Sequence, residues 1–417
     1  MPQPIRTSRL AELPLTGAKL YLPGSSGAPL AFMRWLVEDP ERSAGLDLLT
    51  SYVPGINTLD MARLHPTARV TGLFMQPGLA AAQRERRYRI LPLSYAGFTR
   101  HLREGDALGL SVVQLSPPDA KGRCSLGPAA EFTPVALRRS RRVLGVINPR
   151  VPSLRDSPYV DYASLDFVCE ADDPVANYSP RVDAQSDAVA RHIAPLVEDG
   201  CMLQMGLGRV PTALAALLTD RRGLRLHSGM LCDGFDMLAR AGALDEGFAH
   251  TACVVVGSQA FYDWCAQSTQ LRVRGCDYTH DAAVLASLDR FTAVNSALEI
   301  DLFGQCNLEH AQGRAVSGAG GSPDFARAAR QSPGGRSIVA LDATHGGGAG
   351  SRIVASLSPR AIVTLPRVDV DYVVTEYGAA RVSGLCVHSR AEALIGVAAP
   401  QFREELTRAW RSLAAQL

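Results

Sequence analysis

Apolar positions along the chain come in short runs broken by glycine, proline and polar clusters. Arg69–Met75, Tyr88–Leu93, Leu108–Leu115 and Arg142–Ile147 are too short for stable helices and rich enough in branched residues to read as strands. Between the first two, the arginine-rich Ala80–Arg87 reads as a helix with a solvated face. The two prolines of Ser116–Gly122 cannot donate ladder bonds, so the Leu108–Leu115 strand must end there in a turn. Asn148 and Pro149 close the next strand. Residues 1–30, with Tyr21-Leu-Pro-Gly-Ser-Ser-Gly27, read as a loop, Phe32–Val37 resumes an apolar segment, and Val53–Asn57 is a turn before a helix start.

The alternation continues after Asp172–Pro180, a polar, proline-broken stretch with the character of an interdomain linker. A helix is expected over Asp183–Val197, then a strand and glycine turn in Leu203–Pro211, a helix over Thr212–Leu218 and a second strand in Leu224–Gly234. Strand, turn, helix, strand is the βαβ unit of an open α/β sheet. Val254–Ser258 and Phe261–Cys265 repeat the strand and helix, and Val363–Gly378 gives two short strands before a helix-rich tail containing Pro400–Leu406. At 417 residues the chain exceeds one ordinary core. The expected architecture is α/β with two tandem open α/β domains, 1–180 and 181–417.

Composition narrows the partners. The net charge is +2 and only two lysines occur, Lys19 and Lys121, while the arginines are dispersed among nearly as many acids. No clustered basic patch for nucleic acid is present. Nine scattered cysteines, odd in number and without a C-x-x-C pair, argue for reduced thiols in a cytoplasmic protein. Nine dispersed histidines show no H-x-H or H-E-x-x-H, so no metal site is expected. Met1–Arg6 lacks the apolar core of a signal peptide, and no run of ~18 apolar residues is present to span a membrane.

Four stretches are candidates for chemistry. Gly206 and Gly208 form the turn after the 203 strand, and Ser228 and Gly229 lie at the tip of the next one. Ligands of open α/β sheets sit beyond the carboxyl ends of the strands, so both tips are placed to face one crevice. Ala293–Asn307 alternates with period two, setting Asn295, Ala297, Glu299 and Asp301 on its polar face. A carboxylate pair on such a face reads, taken alone, as solvated or ion-paired. In Ser317–Phe325 a glycine cluster exposes backbone N–H groups able to hold an anion or polarise a carbonyl oxygen, although a glycine loop by itself is also an ordinary flexible connection. Thr344–Arg352 is glycine-rich but lacks the G-K-[ST] end of a phosphate-binding P-loop, and reads as an exposed hairpin or loop.

Together these stretches resemble the acetyl-CoA hydrolase/transferase family of class I CoA-transferases. The resemblance rests on G-L-G-x-x-P at Gly206–Pro211, H-S-x-M at His227–Met230, N-S-A-x-E-x-D-L-x-G-Q-x-N at Asn295–Asn307, S-G-x-G-G-x-x-D-F at Ser317–Phe325 and the segment Thr364–Gly378. Val113–Gly127 and Ile147–Pro152 add to it, so it runs from about Val53 to Leu406. It implies two CoA-transferase-like domains with the active site between them, coenzyme A as part of an acyl-CoA substrate or product, a small acceptor, and a homodimer. It also implies that Gly320, Gly321 and Asn295 serve the thioester, with Gly206, Gly208, Ser228, Glu299 and Asn307 binding substrate. Arg352 is a candidate contact for the CoA pyrophosphate.

One position departs from the pattern. The family carries a glutamate nucleophile where this chain has Gly229. That glutamate attacks the thioester, passes through an acyl anhydride and then holds CoA as an enzyme-bound thioester. Glycine has no group to do this. Three readings follow: direct attack by water or another acceptor on a bound thioester, a ping-pong transferase with a relocated nucleophile, or a catalytically silent CoA-binding protein. Cys232, Asp233 and Glu299 are the neighbours available for relocation, with a buried thiol and a structural carboxylate as their ordinary roles.

Overall fold

The computed structural model describes residues 3–4, 13, 15 and 17–417; the rest of the stretch read for a signal peptide lies outside the described residues. The chain divides into two compact units. One holds 1–179 with 230–232 and 249–281, the other 180–229, 233–248 and 282–417.

The first unit is built on strands β1 (Gln3–Pro4), β2 (Lys19–Leu22), β3 (Asp47–Thr50), β4 (Arg69–Gly72), β5 (Tyr88–Ile90), β6 (Leu110–Leu115), β8 (Val143–Ile147) and β10 (Phe167–Glu170), in the order β1-β10-β8-β6-β2-β3-β4-β5. Every neighbouring pair is parallel. Helices α1 (Leu30–Glu38), α2 (Ala80–Arg84), α3 (Tyr95–Glu104) and α4 (Thr133–Arg139) connect the strands, and β7 (Arg123–Ser125) pairs antiparallel with β9 (Tyr159–Asp161). The proline- and glycine-rich opening is thus not all loop. Leu20, Tyr21 and Leu22 are buried because β2 is a central strand, its short apolar run flanked on both sides by parallel neighbours.

The second unit begins with α5 (Ala184–Ile193), capped reciprocally by Asp183 and Ser186. Then come β11 (Met202–Met205), α6 (Arg209–Leu217), β12 (Arg225–Leu231) and α7 (Gly234–Arg240). Residues 249–281, grouped with the first unit, supply β13 (His250–Val255), α8 (Gln259–Gln267), β14 (Leu271–Val273) and α9 (Cys276–Thr279), with β13 and β14 parallel. The second unit resumes with α10 (Ala282–Ala286) and β15 (Phe291–Ser296).

Past β15 the chain departs from the expected single alternating strand. It breaks at Ala297–Leu298, and β16 (Glu299–Asp301) joins a small separate sheet with β17 (Cys306–Asn307) and, later, β23 (Ile353–Val354). The physical reason is that β15 is flanked by β11 and β20 and ends where their ladders end. Ile300, fully buried, then packs in a second cluster with Leu365 and Val373. The hairpin β18 (His310–Ala311) and β19 (Arg314–Ala315), helix α11 (Ser322–Gln331) and β20 (Arg336–Ala340) follow. Thr344–Ser351 is a hairpin, as expected, of β21 (Thr344–His345) and β22 (Gly350–Ser351). The chain closes with β24 (Tyr372–Thr375), β25 (Gly378–Arg381), α12 (Val387–Gly396) and α13 (Pro400–Ala414). In this unit's sheet the order is β12-β11-β15-β20-β24-β25, parallel as far as β24 and antiparallel at β25.

Among the described residues no helix is long and apolar enough to cross a membrane.

Candidate active site

From β11 the chain winds one way to β12 and later returns on the other side through β15, β20 and β24. The strand order therefore reverses between β11 and β15, which is where open α/β sheets leave a crevice for a ligand. Most of the motif residues gather at this edge. Gly206 directly follows β11, and its N–H donates to the Val294 carbonyl of β15 at 3.1 Å. Below it Gln204 and Asn295 face each other as a buried amide pair: Asn295 Nδ2 donates to Gln204 Oε1 at 3.2 Å, and Gln204 Nε2 donates back at 3.5 Å. One Nδ2 hydrogen of Asn295 is left over for a ligand.

On the other side Ser228 Oγ donates to the Met205 carbonyl at 2.8 Å. Its hydroxyl hydrogen is thus used to clip β12 to β11, and the clip sets half-buried Gly229 beside the Gly206 turn. Gly229 lies inside β12, level by register with Gly206 just past β11, and with strands about 4.8 Å apart Gly229, Gly206 and Asn295 stand on three consecutive strands across roughly 10 Å. Gly208 caps α6 with φ of 128°, a conformation that favours glycine, and no side chain caps that helix.

Gly320 and Gly321 reach the same edge through α11. The Ser332 hydroxyl at the far end of that helix accepts the Phe291 N–H at 3.0 Å, anchoring the helix C-terminus at the start of β15. The helix then runs back along the strand and brings its N-terminus toward the strand's carboxyl end. Gly320 has φ of 58° and Gly321 is the N-cap, without a side-chain cap bond. Backbone N–H groups at such a terminus suit an anion or a developing oxyanion.

Glu299 and Asn307 lie elsewhere, opposite each other in the β16–β17 pair. They line a cleft of about 520 Å³ with His310, His345, Arg352 and Arg360. The Asn307 side chain is engaged by its own loop, donating to the His310 carbonyl at 2.7 Å and accepting the Glu309 and His310 N–H groups at 3.1 and 2.8 Å. Burial lifts the Glu299 carboxyl above its usual range, against the pull of Asn307, His345 and Arg352. A second cleft, of about 730 Å³, shares His345, Gly346 and Arg352 with the first and is lined also by Asp342, Gln185 and Glu376. Arg352 is partly tied down, donating to the Thr344 carbonyl at 3.1 Å and the Leu298 carbonyl at 2.9 Å. Glu376 has a structural task, accepting from Gln185 Nε2 and the Ala343 N–H, both at 2.8 Å.

Asp342 was not singled out from sequence. It follows the carboxyl end of β20, and Arg209, the first residue of α6 after the glycine turn, approaches it at 3.6 Å while also pairing with Asp183. Burial raises the Asp342 carboxyl despite Arg209 and Arg352. Its signal was there to read, an acid directly after an apolar strand that opens a glycine-rich hairpin. Also missed was a convergence of Cys253, Cys276 and His280 in the first unit.

None of the nine cysteines is in a disulfide. Asp233 stands at the N-cap of α7 but makes no side-chain cap bond there.

Comparison with known proteins fits this arrangement. The profile of the acetyl-CoA hydrolase/transferase C-terminal domain matches residues 257–410. The 4-hydroxybutyrate coenzyme A transferase of Clostridium kluyveri is 30% identical over 388 residues, covering 91% of this chain and 90% of that protein. Among solved structures, RipA from Yersinia pestis superposes with a TM-score of 0.87 at 25% identity, over 99% of this chain and 97% of that one. The 4-hydroxybutyrate CoA-transferase of Porphyromonas gingivalis does so with a TM-score of 0.80 at 27% identity, over 98% and 97%. The chain belongs to the acetyl-CoA hydrolase/transferase family and is an acyl-CoA-processing enzyme.

Proposed function

We propose that this enzyme cleaves or transfers the acyl group of a bound acyl-CoA by direct attack of water or a small acceptor on the thioester, without a covalent enzyme–CoA intermediate. The observation that carries the reading is Gly229: the β12 position that carries the family's attacking carboxylate is held beside the crevice by the Ser228–Met205 bond, yet bears no side chain. The glycine turn at 206–208, the remaining Nδ2 hydrogen of Asn295 and the backbone N–H groups at Gly320–Gly321 supply what the thioester oxygen needs.

In this scheme the thioester carbonyl oxygen lies toward the Gly320–Gly321 end of α11, and the attacking oxygen approaches over Gly229. Water gives its proton to a base as the C–O bond forms, while a carboxylate acceptor attacks as its anion and forms an anhydride, and in either case the C–S bond then breaks to release CoA thiolate. Asp342 is our candidate base. It is a carboxylate at the same sheet edge, its affinity for a proton is raised by burial, and Arg209 steadies its charged form. Arg352 and Arg360 offer positive charge for the phosphates of CoA in the adjoining cleft, which His310 and His345 also line. The scheme keeps the homodimer expected from the resemblance, which light scattering of the purified protein tests, and the cytoplasmic location expected from the cysteine pattern.

A second reading has support from Glu299, whose raised, half-buried carboxyl faces a cleft and is a candidate relocated nucleophile. The experiment is steady-state release of CoA thiol from acyl-CoA with water alone and with a panel of carboxylates. Direct attack gives intersecting double-reciprocal plots when an acceptor is varied, and the relocated nucleophile gives the parallel plots of a ping-pong enzyme. Binding with no turnover against any acceptor contradicts both, and leaves a silent CoA-binding protein.

A further inference from the structure

Cys253 in β13, Cys276 at the start of α9 and His280 just after it are all buried, at 0%, 1% and 1% exposure. Their ligand atoms lie within 4.8 Å of one another. Residues 276 and 280 are one helical turn apart, and the His280 N–H donates to the Cys276 carbonyl at 3.2 Å, so both side chains rise from one face. Glu131 fastens the two cysteine-bearing segments together. Its N–H donates to the Cys253 carbonyl at 3.2 Å, and its carbonyl accepts the Cys276 N–H at 2.6 Å. It does this with φ of 41°, a left-handed conformation that costs a non-glycine residue about 1–3 kcal/mol. The His280 ring is held by Nδ1, which lies 2.9 Å from Thr279 Oγ1.

A buried cysteine is ordinary core material. Two of them converging on an imidazole in the dry interior, with a strained backbone clamp holding their segments in place, is a ligand set. We propose that Cys253, Cys276 and His280 bind one zinc(II) ion. Two sulfur donors and an imidazole suit zinc over calcium or magnesium. Binding releases the two thiol protons, and the resulting thiolates offset the charge of the cation, as the low-dielectric surroundings require. The ion would join β13 to α9 as a structural element of the first unit, independent of how the thioester is attacked.

The test is metal content of the full chain purified without chelator from zinc-supplemented cells, read by plasma mass spectrometry. About one zinc per chain is expected, falling at least tenfold in Cys276→Ser and in His280→Ala and unchanged in Cys386→Ser, which alters the exposed cysteine. Should the two core variants fail to fold, the wild-type protein exchanged into cobalt(II) decides: a sulfur-to-cobalt charge-transfer band supports the site. Wild-type protein with less than about a tenth of a zinc per chain and no such band overturns it. So does zinc retained by both variants.

Discussion

The two units carry the same device in opposite states. In the first, the strand order reverses between β2 and β6, and in the second between β11 and β15. The second reversal is bridged by the amide pair of Asn295 and Gln204 at 3.2 Å, and the first by Gln114 of β6, whose Nε2 donates to the Ser26 carbonyl after β2 at 3.4 Å. In the first unit the crevice is filled by the protein itself. Ser51 Oγ donates to Glu131 Oε2 at 2.6 Å and accepts the Gly24 N–H at 2.9 Å, the Ser25 N–H donates to Asn57 at 2.6 Å, and Ser26 bonds the Val255 carbonyl at 2.8 Å. All these side chains are buried, and burial raises the Glu131 carboxyl above its ordinary range, against the pull of the Ser25 and Ser51 hydroxyls and the Gly24 N–H. At the second reversal, a Cβ placed on Gly206 would meet only the Val294 carbonyl, at 3.8 Å. One crevice is closed by its own polar side chains and the other is left open, so topology alone makes a candidate site and the residues at the strand ends decide whether it can take a ligand.

That contrast breaks most easily at Gly24, where an added Cβ would lie 2.2 Å from the Ser51 carbonyl oxygen. Gly24→Ala should destabilise the first unit by about 3 kcal/mol, seen as a lowered midpoint in urea denaturation or as lost soluble yield. A midpoint within error of wild type would mean that this crevice is not packed. In the open crevice the consequence moves from stability to rate: Asp342→Asn should lower kcat about 100-fold. Because burial raises the Asp342 carboxyl, wild-type activity should rise with pH through a midpoint above the ordinary carboxylate range, as the base loses its proton, and the variant should lack that limb. An unchanged pH–rate profile would remove Asp342 from the mechanism.

Gly208→Ala forces a side chain into φ of 128° and should cost about 1–3 kcal/mol in thermal or urea unfolding. Gly206→Ala should be the mildest, changing stability by less than about 1 kcal/mol while weakening acyl-CoA binding in calorimetry. If Gly206→Ala instead unfolds the protein, the two crevices do not differ as described.

Much of this was legible in the sequence because parallel strands buried on both faces leave plain apolar runs. Leu110–Leu115 is buried throughout, and the corresponding stretch stands out without any alignment. The glycine turn before α6 was equally plain, since glycine at a strand end before a helix has few other uses, whereas the Ser317–Phe325 glycine cluster did not show that it caps α11. Two features were hidden by the same physics. β2 lies in a proline- and glycine-rich stretch whose punctuation masks four strand residues. The polar alternation from Ala293 to Asn307 continues in sequence across a break in space, because a two-residue period cannot show that residues 299–301 have moved to another sheet. Ser228 and Asn307 show a further limit: sequence marks a polar side chain at a strand end, while only the fold reveals that its bonds go to Met205 and to the 308–310 loop. Asp342 went unremarked because its partner, Arg209, is distant in sequence.

The direct-attack account turns on what happens to the protein during turnover. Intact-protein mass spectrometry after mixing with an acyl-CoA and trapping with borohydride reads this without any variant. The account predicts an unmodified chain while CoA is released. A chain carrying a CoA adduct, or reduced at a carboxylate such as Glu299, would contradict it and show that the missing nucleophile has been replaced.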